Sequence, residues 1–299
     1  MTAGTILVDT REELAGLLSE ARTAGRRVGL VPTMGALHDG HASLMREARA
    51  QVGEGPVVAS IFVNPMQFAP GEDLDRYPRT LGADLEVCSA EGVDVVFAPA
   101  VDEVYPGGEP EITVDPGPLA TVLEGASRPT HFRGVLTVVA KLFGLVRADV
   151  AVFGQKDFQQ LTLVRRMVAD LCMGVDVVGA RTVREPDGLA MSSRNRNLDP
   201  EQRRRAVALH HALVEARDAA RWGVDVALEA ARAEMRQAHG VDLDYLVIRA
   251  ADLTELPDDV PEGTAGRVLV AARVGDTRLI DNMPITLGAT RAPAGRGDS

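Results

Sequence analysis

Short Val-rich runs alternate with stretches of helical period along the first half of the chain. Between residues 11 and 24 the period places Leu14, Leu17, Leu18 and Ala21 on one stripe, and Gly25 follows as a stop. Residues 28–31 read as a buried strand ending at Pro32, and a helix begins near Gly40 with Leu44, Met45 and Ala48 on its apolar side. Strands over 57–63 and 93–98, a helix over 135–146, a strand over 150–154, a helix over 159–171 and a strand over 175–178 continue the series. Continuously apolar strands separated by helices predict an α/β domain built on a parallel sheet covered on both faces.

After about residue 181 the pattern changes. Two long helical segments, 200–220 and 224–239, precede three runs, 245–249, 267–274 and 277–281, that read as a small antiparallel set. The expected organisation is therefore a first domain over 1–182 and a smaller α+β domain over 183–287. A tail over 288–299, rich in Ala, Gly, Arg and Pro, is expected to be disordered.

Composition narrows the chemistry. Aromatic residues make up only 4% of 299, so the core must be built from Val, Leu, Ala and Ile, and base stacking on aromatic platforms is disfavoured. The net charge of −11 comes without a basic stripe, and Arg203 to Arg205 read as a solvated helix face. No nucleic-acid partner is expected, so phosphate chemistry should be local, on a small molecule. Cys88 and Cys172 are too far apart in sequence for a C-x-x-C pair, which argues against a disulfide framework or zinc site and suits a reducing cytoplasm. No apolar run reaches the length of a membrane span.

Three segments carry candidate chemistry. Pro32-Thr33-Met34-Gly35-Ala36-Leu37-His38-Asp39-Gly40-His41 leaves a predicted strand and enters a helix, where doubly wound sheets bind ligands. Gly35 and Gly40 allow close backbone approach, the helix N-terminus suits a phosphate, and the H-x-G-H pair can donate to phosphate oxygens as charge develops. The alternative is that one histidine caps the helix and the other packs. Met191-Ser192-Ser193-Arg194 offers two hydroxyls and a guanidinium for phosphates, or is a plain polar turn. Gly154-Gln155-Lys156-Asp157, followed by Gln160, supplies a point charge, a ribose acceptor and an amide, though a Lys156–Asp157 surface pair is the simpler reading. Two more stretches offer polar groups for a small ligand, Asn64 with Gln67 and Arg128 with His131, and either can be ordinary loop chemistry. Neither a P-loop nor a G-x-G-x-x-G fingerprint occurs.

Taken in order, PTMGALHDGH, IFVNPMQF, YPRT, THFRG, VFGQKDFQQL and VREPDGLAMSSRN, with DNMPI further on, resemble the pantothenate synthetase family of the nucleotidyltransferase superfamily. The resemblance implies a Rossmann-like, doubly wound first domain, a C-terminal α+β lid domain, a homodimer, and activation of pantoate by ATP with Mg²⁺ before transfer to β-alanine. It implies that Pro32, Thr33, Met34, Gly35, His38, Gly40, His41, Gly154, Lys156, Asp157, Val183, Met191, Ser192, Ser193 and Arg194 meet ATP. Of these, His38, His41, Lys156 and Arg194 would be catalytic. Met34, Gln67 and Gln160 would meet pantoate, Asn64 and His131 would lie where β-alanine arrives, and Asp84 would contact the metal. The competing readings are another nucleotidyltransferase with a different acceptor, and a non-catalytic nucleotide-binding module. An aminoacyl-tRNA synthetase would need a tRNA-binding surface that this acidic chain does not display.

Overall fold

The computed structural model describes residues 4–69, 74 and 77–289. The chain divides into two compact units between Val183 and Arg184. In chain order the first unit contains β1 (Ile6–Val8), α1 (Arg11–Thr23), β2 (Gly29–Thr33), α2 (Asp39–Val52), β3 (Val57–Ile61), α3 (Leu81–Ala90) and β4 (Val95–Phe97). The short helices α4 (Val101–Val104) and α5 (Glu124–Ser127) follow, then α6 (His131–Val146), β5 (Val150–Gly154), α7 (Phe158–Asp170) and β6 (Asp176–Ala180). The six strands form one sheet in the order β1-β4-β3-β2-β5-β6, and every pairing is parallel. This is the parallel α/β sheet predicted from the apolar runs, and it is doubly wound as the family resemblance implied. Val31, Val57, Ala59, Val96, Val150 and Val152 pack with Leu37, Leu44, Met45 and Ala48 in a core that needs few aromatics.

Local signals explain most boundaries. Thr10 caps α1 by accepting from the Glu13 amide, and Glu12 and Glu13 complement the positive end of the helix. Leu14, Leu18 and Ala21 are buried as the stripe requires, but Leu17 is 39% exposed and lies at its margin. β3 stops at Ile61, two residues before the predicted end, because Asn64 caps a 3₁₀ turn over Pro65–Gln67. Besides the short α4 and α5, β1 and α3 were not predicted. β1 is a three-residue edge strand with Ile6 and Leu7 44% and 45% exposed, too short and too wet to leave a pattern. In α3 the buried stripe contains Asp84 beside Cys88, and a carboxylate inside the stripe hides the apolar period.

β2 continues through Pro32 to Thr33 instead of ending at the proline. Its pairing with β3 extends to Thr33 opposite Ile61, whereas its pairing with β5 stops at Leu30 opposite Ala151. Pro32 thus lies beyond the last β5 pair, where no ladder bond to β5 needs its missing N–H.

The second unit contains α8 (Pro200–Ala206), α9 (Ala208–Ala219), α10 (Val224–Gln237), β7 (Val241–Ala250), β8 (Thr264–Val274) and β9 (Thr277–Leu287). The predicted helix over 200–220 is broken at Val207, and its last turn, Ala220–Trp222, is 3₁₀. The three strands form an antiparallel sheet in the order β7-β8-β9, with β8 and β9 joined through Gly275 and Asp276. Gly275 has φ +58°, the left-handed conformation such a tight hairpin requires. Leu209, Leu213, Val268 and Val270 centre the core of this unit. The strands run longer than predicted because exposed Asp242 and Asp244 interrupt the apolar run of β7, while the strand continues past a register shift at Asp244. Gly288, assigned above to a disordered tail, donates its N–H to the Ala220 carbonyl at 2.9 Å, and residues 290–299 lie outside the described residues. Among the described residues, no helix is long and apolar enough to cross a membrane.

Candidate active site

Strand order reverses at β2, which has β3 and β4 on one side and β5 and β6 on the other. Ligands of doubly wound sheets bind outside the carboxyl ends of the two strands at such a point. Here the crevice opens after Leu30 and Ala151, and the loops leaving β2 and β5 are the PTMGALHDGH and GQKD segments.

The first loop turns on two consecutive left-handed residues, Gly35 at φ +81° and Ala36 at φ +51°. A Cβ at Gly35 would lie 2.9 Å from Asp84 Oδ2, so glycine is required by both space and conformation. The turn points the amides of Ala36 and Leu37 at the Asp84 carboxylate, 3.1 and 2.8 Å away. Thr80 Oγ1 donates to the same carboxylate, which is 2% exposed. Thr33 holds the start of the loop, donating its hydroxyl to the Ser60 carbonyl at 2.7 Å and accepting from the Gly35 amide at 3.2 Å. Burial, with Asp84 nearby, pushes the Cys88 thiol up to about 12, so that buried cysteine is inert.

The two histidines make a reciprocal cap on α2. His38 Nδ1 accepts from the Gly40 amide at 3.1 Å, and His41 Nδ1 accepts from the His38 amide at 3.3 Å. The capping alternative raised from the sequence is therefore real, yet it also prepares the rings for ligand chemistry. With Nδ1 an acceptor, a neutral imidazole carries its proton on Nε2. The ring centroids are 4.2 Å apart. Burial first, then His38 and Lys156, lowers the His41 pKa to about 3 against the opposing pull of Asp157. His41 is thus a neutral Nε2–H donor at ordinary pH.

At the end of β5, Gly154 leads into the 3₁₀ turn Gln155–Asp157, where Lys156 Nζ lies 3.6 Å from Asp157 Oδ1. Both charges act on His41, so the structure brings the two loops together. Gln155 donates to the Gly179 carbonyl, and Gln159 is buried on the Leu119 and Val122 carbonyls. Gln160 is half-buried, and its side chain has no hydrogen-bond partner among the described residues.

The amides after β3 differ in how far the fold engages them. Asn64 is 1% exposed, and its Nδ2 donates to Gln67 Oε1 at 3.2 Å and to the Gly134 carbonyl at 3.1 Å. Its Oδ1 accepts from the Met66 amide and from Tyr105 Oη, at 3.3 and 2.9 Å. Both donors and both lone pairs are used, so Asn64 has no capacity left for β-alanine. Its work is to hold Gln67 Oε1, which turns Gln67 Nε2 towards Met34 Sδ, 2.8 Å away. His131 likewise supports Gln67: Nδ1 lies 3.0 Å from the Gln67 carbonyl and Nε2 lies 3.3 Å from Arg128. Gly134 completes this support, because a Cβ there would meet the Met66 carbonyl at 2.3 Å. Tyr105 was missed in the sequence; nothing local marks it, since its partner is 41 positions away.

Within the second unit, Ser192 caps the 3₁₀ turn Ser193–Asn197 by accepting from the Arg194 amide at 3.2 Å. Met191, Ser192, Ser193 and Arg194 are all half-buried. Val183 closes the first unit.

Residues 6–284 match the family model described as Pantoate-beta-alanine ligase. The chain belongs to this family. A pantothenate synthetase from a Nocardioides species is 68% identical over 299 residues, covering 99% of this chain and 89% of the relative. The crystal structure of pantothenate synthetase from Thermus thermophilus superposes with a TM-score of 0.85 at 48% identity, covering 93% of this chain and 98% of that one. A pantoate-beta-alanine ligase from Francisella tularensis, solved as a complex with beta-gamma ATP and beta-alanine, has a TM-score of 0.76 at 33% identity, with coverages of 93% and 97%.

In this ligase Asp84, for which the family resemblance implied a metal contact, holds the loop after β2. Its oxygens accept from the two loop amides and from Thr80, and among the described residues no three His, Cys, Asp or Glu side chains form a metal-binding group. Asp84→Asn should therefore destabilise the protein by about 1–3 kcal/mol in urea unfolding without nucleotide or Mg²⁺, because one amide loses its acceptor. Unchanged stability would remove Asp84 from the support of this loop. The His41 ring gives a second test. Below about 6.5 the unfolded chain binds a proton on it that the folded protein refuses until about 3, so stability falls with pH across that window. His41→Gln keeps a capping side chain and should show a shallower loss between pH 6.5 and 4.

Proposed function

We propose that this chain condenses pantoate with β-alanine at the expense of ATP, through a pantoyl-adenylate. The observation that carries the reading is the reciprocal histidine cap at the mouth of the β2–β5 crevice. It sets two imidazoles, each with Nδ1 accepting from a backbone amide, at a helix N-terminus, with the Lys156 charge acting on the His41 ring.

In the first step a pantoate carboxylate oxygen attacks the α-phosphorus, and pyrophosphate leaves with the bonding electron pair. His41 steadies the α-phosphate oxygens as charge builds, with His38 and Lys156 on the outer phosphates. Ser192, Ser193 and Arg194 hold the leaving pyrophosphate, Gly154 and Asp157 hold the ribose, and backbone around Val183 meets the adenine. In the second step the β-alanine amine attacks the activated carbonyl, AMP departs, and the nitrogen loses a proton. Both steps depend on position and electrostatic stabilisation more than on an acid or base. The mixed anhydride must be kept from water, which supports a covering role for the second unit.

Gln67 and Gln160 hydrogen-bond pantoate's oxygens while Met34 meets its methyl groups. The Gln67 amide held against the Met34 sulfur supports a ligand with adjacent polar and apolar faces. Mg²⁺ enters with ATP. Asp84 accepts from two amides and one hydroxyl, which leaves about one of its four lone-pair sites to meet the ion beside the phosphate oxygens.

Purified protein should release pyrophosphate from ATP only with pantoate, and form AMP and amide only when β-alanine is added. Release that ignores pantoate would assign another acceptor to the same superfamily chemistry. His41→Ala and Lys156→Ala should each slow adenylation at least about a hundredfold, and near-normal turnover would remove that residue from the mechanism.

The enzyme works as a homodimer in the cytoplasm. Free Cys88 and Cys172 suit a reducing compartment. An open cavity of about 760 Å³ between the segment 112–119, α6 and α7 supports association, with Ile112 86% exposed and Leu171 55% exposed at its margin. Sedimentation equilibrium should return twice the chain mass, and Ile112→Glu should lower it. A monomeric wild-type protein would overturn the assignment.

A further inference from the structure

The DNMPI segment takes no part in the chemistry described so far, yet it holds the most buried carboxylate of the second unit. The Asp281 side chain, on β9, is 1% exposed. Arg184 grips it with both ends of its fork, Nη1 to Oδ2 at 2.5 Å and Nη2 to Oδ1 at 3.0 Å. The same guanidinium donates to the Gly188 carbonyl at 3.0 Å and to the Asn282 carbonyl at 3.4 Å. The Asn282 amide donates to Asp281 Oδ1 at 2.7 Å, and buried Arg267 donates to Asn282 Oδ1. With its charge neutralised and its fork engaged, Arg184 is not a phosphate ligand.

What the pair fixes is a loop. Arg184 and Ala190 form an isolated antiparallel bridge, and the turn between them closes through the Glu185 amide to Leu189 and the Gly188 amide to Glu185. Gly188, at φ +94°, lies so close to His210 on α9 that a Cβ would approach its ring to 2.1 Å. Leu189 is buried in the core, and Arg203 of α8 binds Asp187 at 2.7 and 2.9 Å. The Ala190 carbonyl in turn accepts from Asn195 Nδ2 at 3.1 Å. Met191-Ser192-Ser193-Arg194 is thus strung between two residues bonded to each other, one of which is anchored through the turn to the Arg184–Asp281 pair.

We propose that Arg184 and Asp281 are positioning residues for ATP, setting the place of the Met191–Arg194 clamp through the Ala190–Asn195 bond. The inference rests on the reading of Ser192, Ser193 and Arg194 as phosphate ligands. An Arg–carboxylate fork fixes direction as well as distance, which a point charge does not. A misplacement of about 1 Å is enough to cost as much as a hundredfold in a positioned reaction.

The test uses full-length protein. Arg184→Lys keeps the charge and loses the fork. Asn195→Ala leaves the ion pair intact and removes only the tie to Ala190, since Asn195 Oδ1 makes no hydrogen bond. Calorimetric titration with a non-hydrolysable ATP analogue should show affinity weakened about tenfold in both variants, and KM for ATP in pyrophosphate release should rise in parallel. KM for pantoate should stay within about twofold, because its proposed contacts lie in the first unit. Unchanged analogue affinity in either folded variant overturns the inference, as does an equal loss towards both substrates, which a general structural defect would produce. The titration needs no pantoate, so a protein that binds ATP but ignores pantoate would sink the substrate assignment and still test this one. Wild-type protein that does not bind the analogue would overturn both.

Discussion

A parallel sheet wound in two directions must open between the strands where the direction changes, and here β2 and β5 part after Leu30 and Ala151. Everything in the first site follows from that opening. Pro32 is tolerated inside a central strand because the last β5 pair lies before it. The loops that leave the strands at this edge do not continue the sheet, so each needs its own support. The β2 loop finds it in the Asp84 carboxylate, and the loop after β3 finds it in the Asn64 amide and the His131 ring.

The electrostatic character of the site follows from burial. A chain of net charge −11 that handles a polyanion relies on local donors. The donors proposed here are mostly neutral: backbone amides at the start of α2, imidazole Nε2–H groups and the Gln67 amide. A neutral donor costs less to bury than a cation and needs no counter-ion when the ligand is absent. The His41 ring, lowered to about 3, is the clearest case, since protonating it would set a charge beside Lys156 in a partly buried crevice. The reciprocal cap removes the remaining ambiguity by committing each Nδ1 to a backbone amide.

The sheet was legible because its strands are continuously apolar and its helices keep their period; β5 was read to the residue. Legibility failed where a polar residue entered a buried stripe, as Asp84 does in α3, or where a strand lay at a wet edge, as β1 does. The segments that bear the site stood out, since glycine, histidine and amide clusters at strand ends are unusual. Their division of labour did not. Asn64 and Gln67 look alike in sequence, and only the hydrogen bonds tell them apart: every polar position of Asn64 is engaged within the fold, while Gln67 Nε2 is turned to Met34.

The hidden residues share one property. Asp84 acts on amides 47 and 48 positions earlier in the chain, Tyr105 on an amide 41 away, and Asp281 on a guanidinium 97 away. Motif reading detects residues that meet a ligand because they sit together on a loop. It does not detect the single side chain, remote in sequence, that holds the loop. Yet each loop needs one. Turning the chain through Gly35 and Ala36 aims two amides inward, and buried amides require acceptors. One carboxylate satisfies both where a neutral group of the same size satisfies one. The Arg184 fork likewise requires two acceptors in a plane, which a carboxylate supplies. A buried aspartate facing a functional loop is thus read first as that loop's anchor when its oxygens are already engaged, and as a ligand of substrate or metal only when one of them is spare.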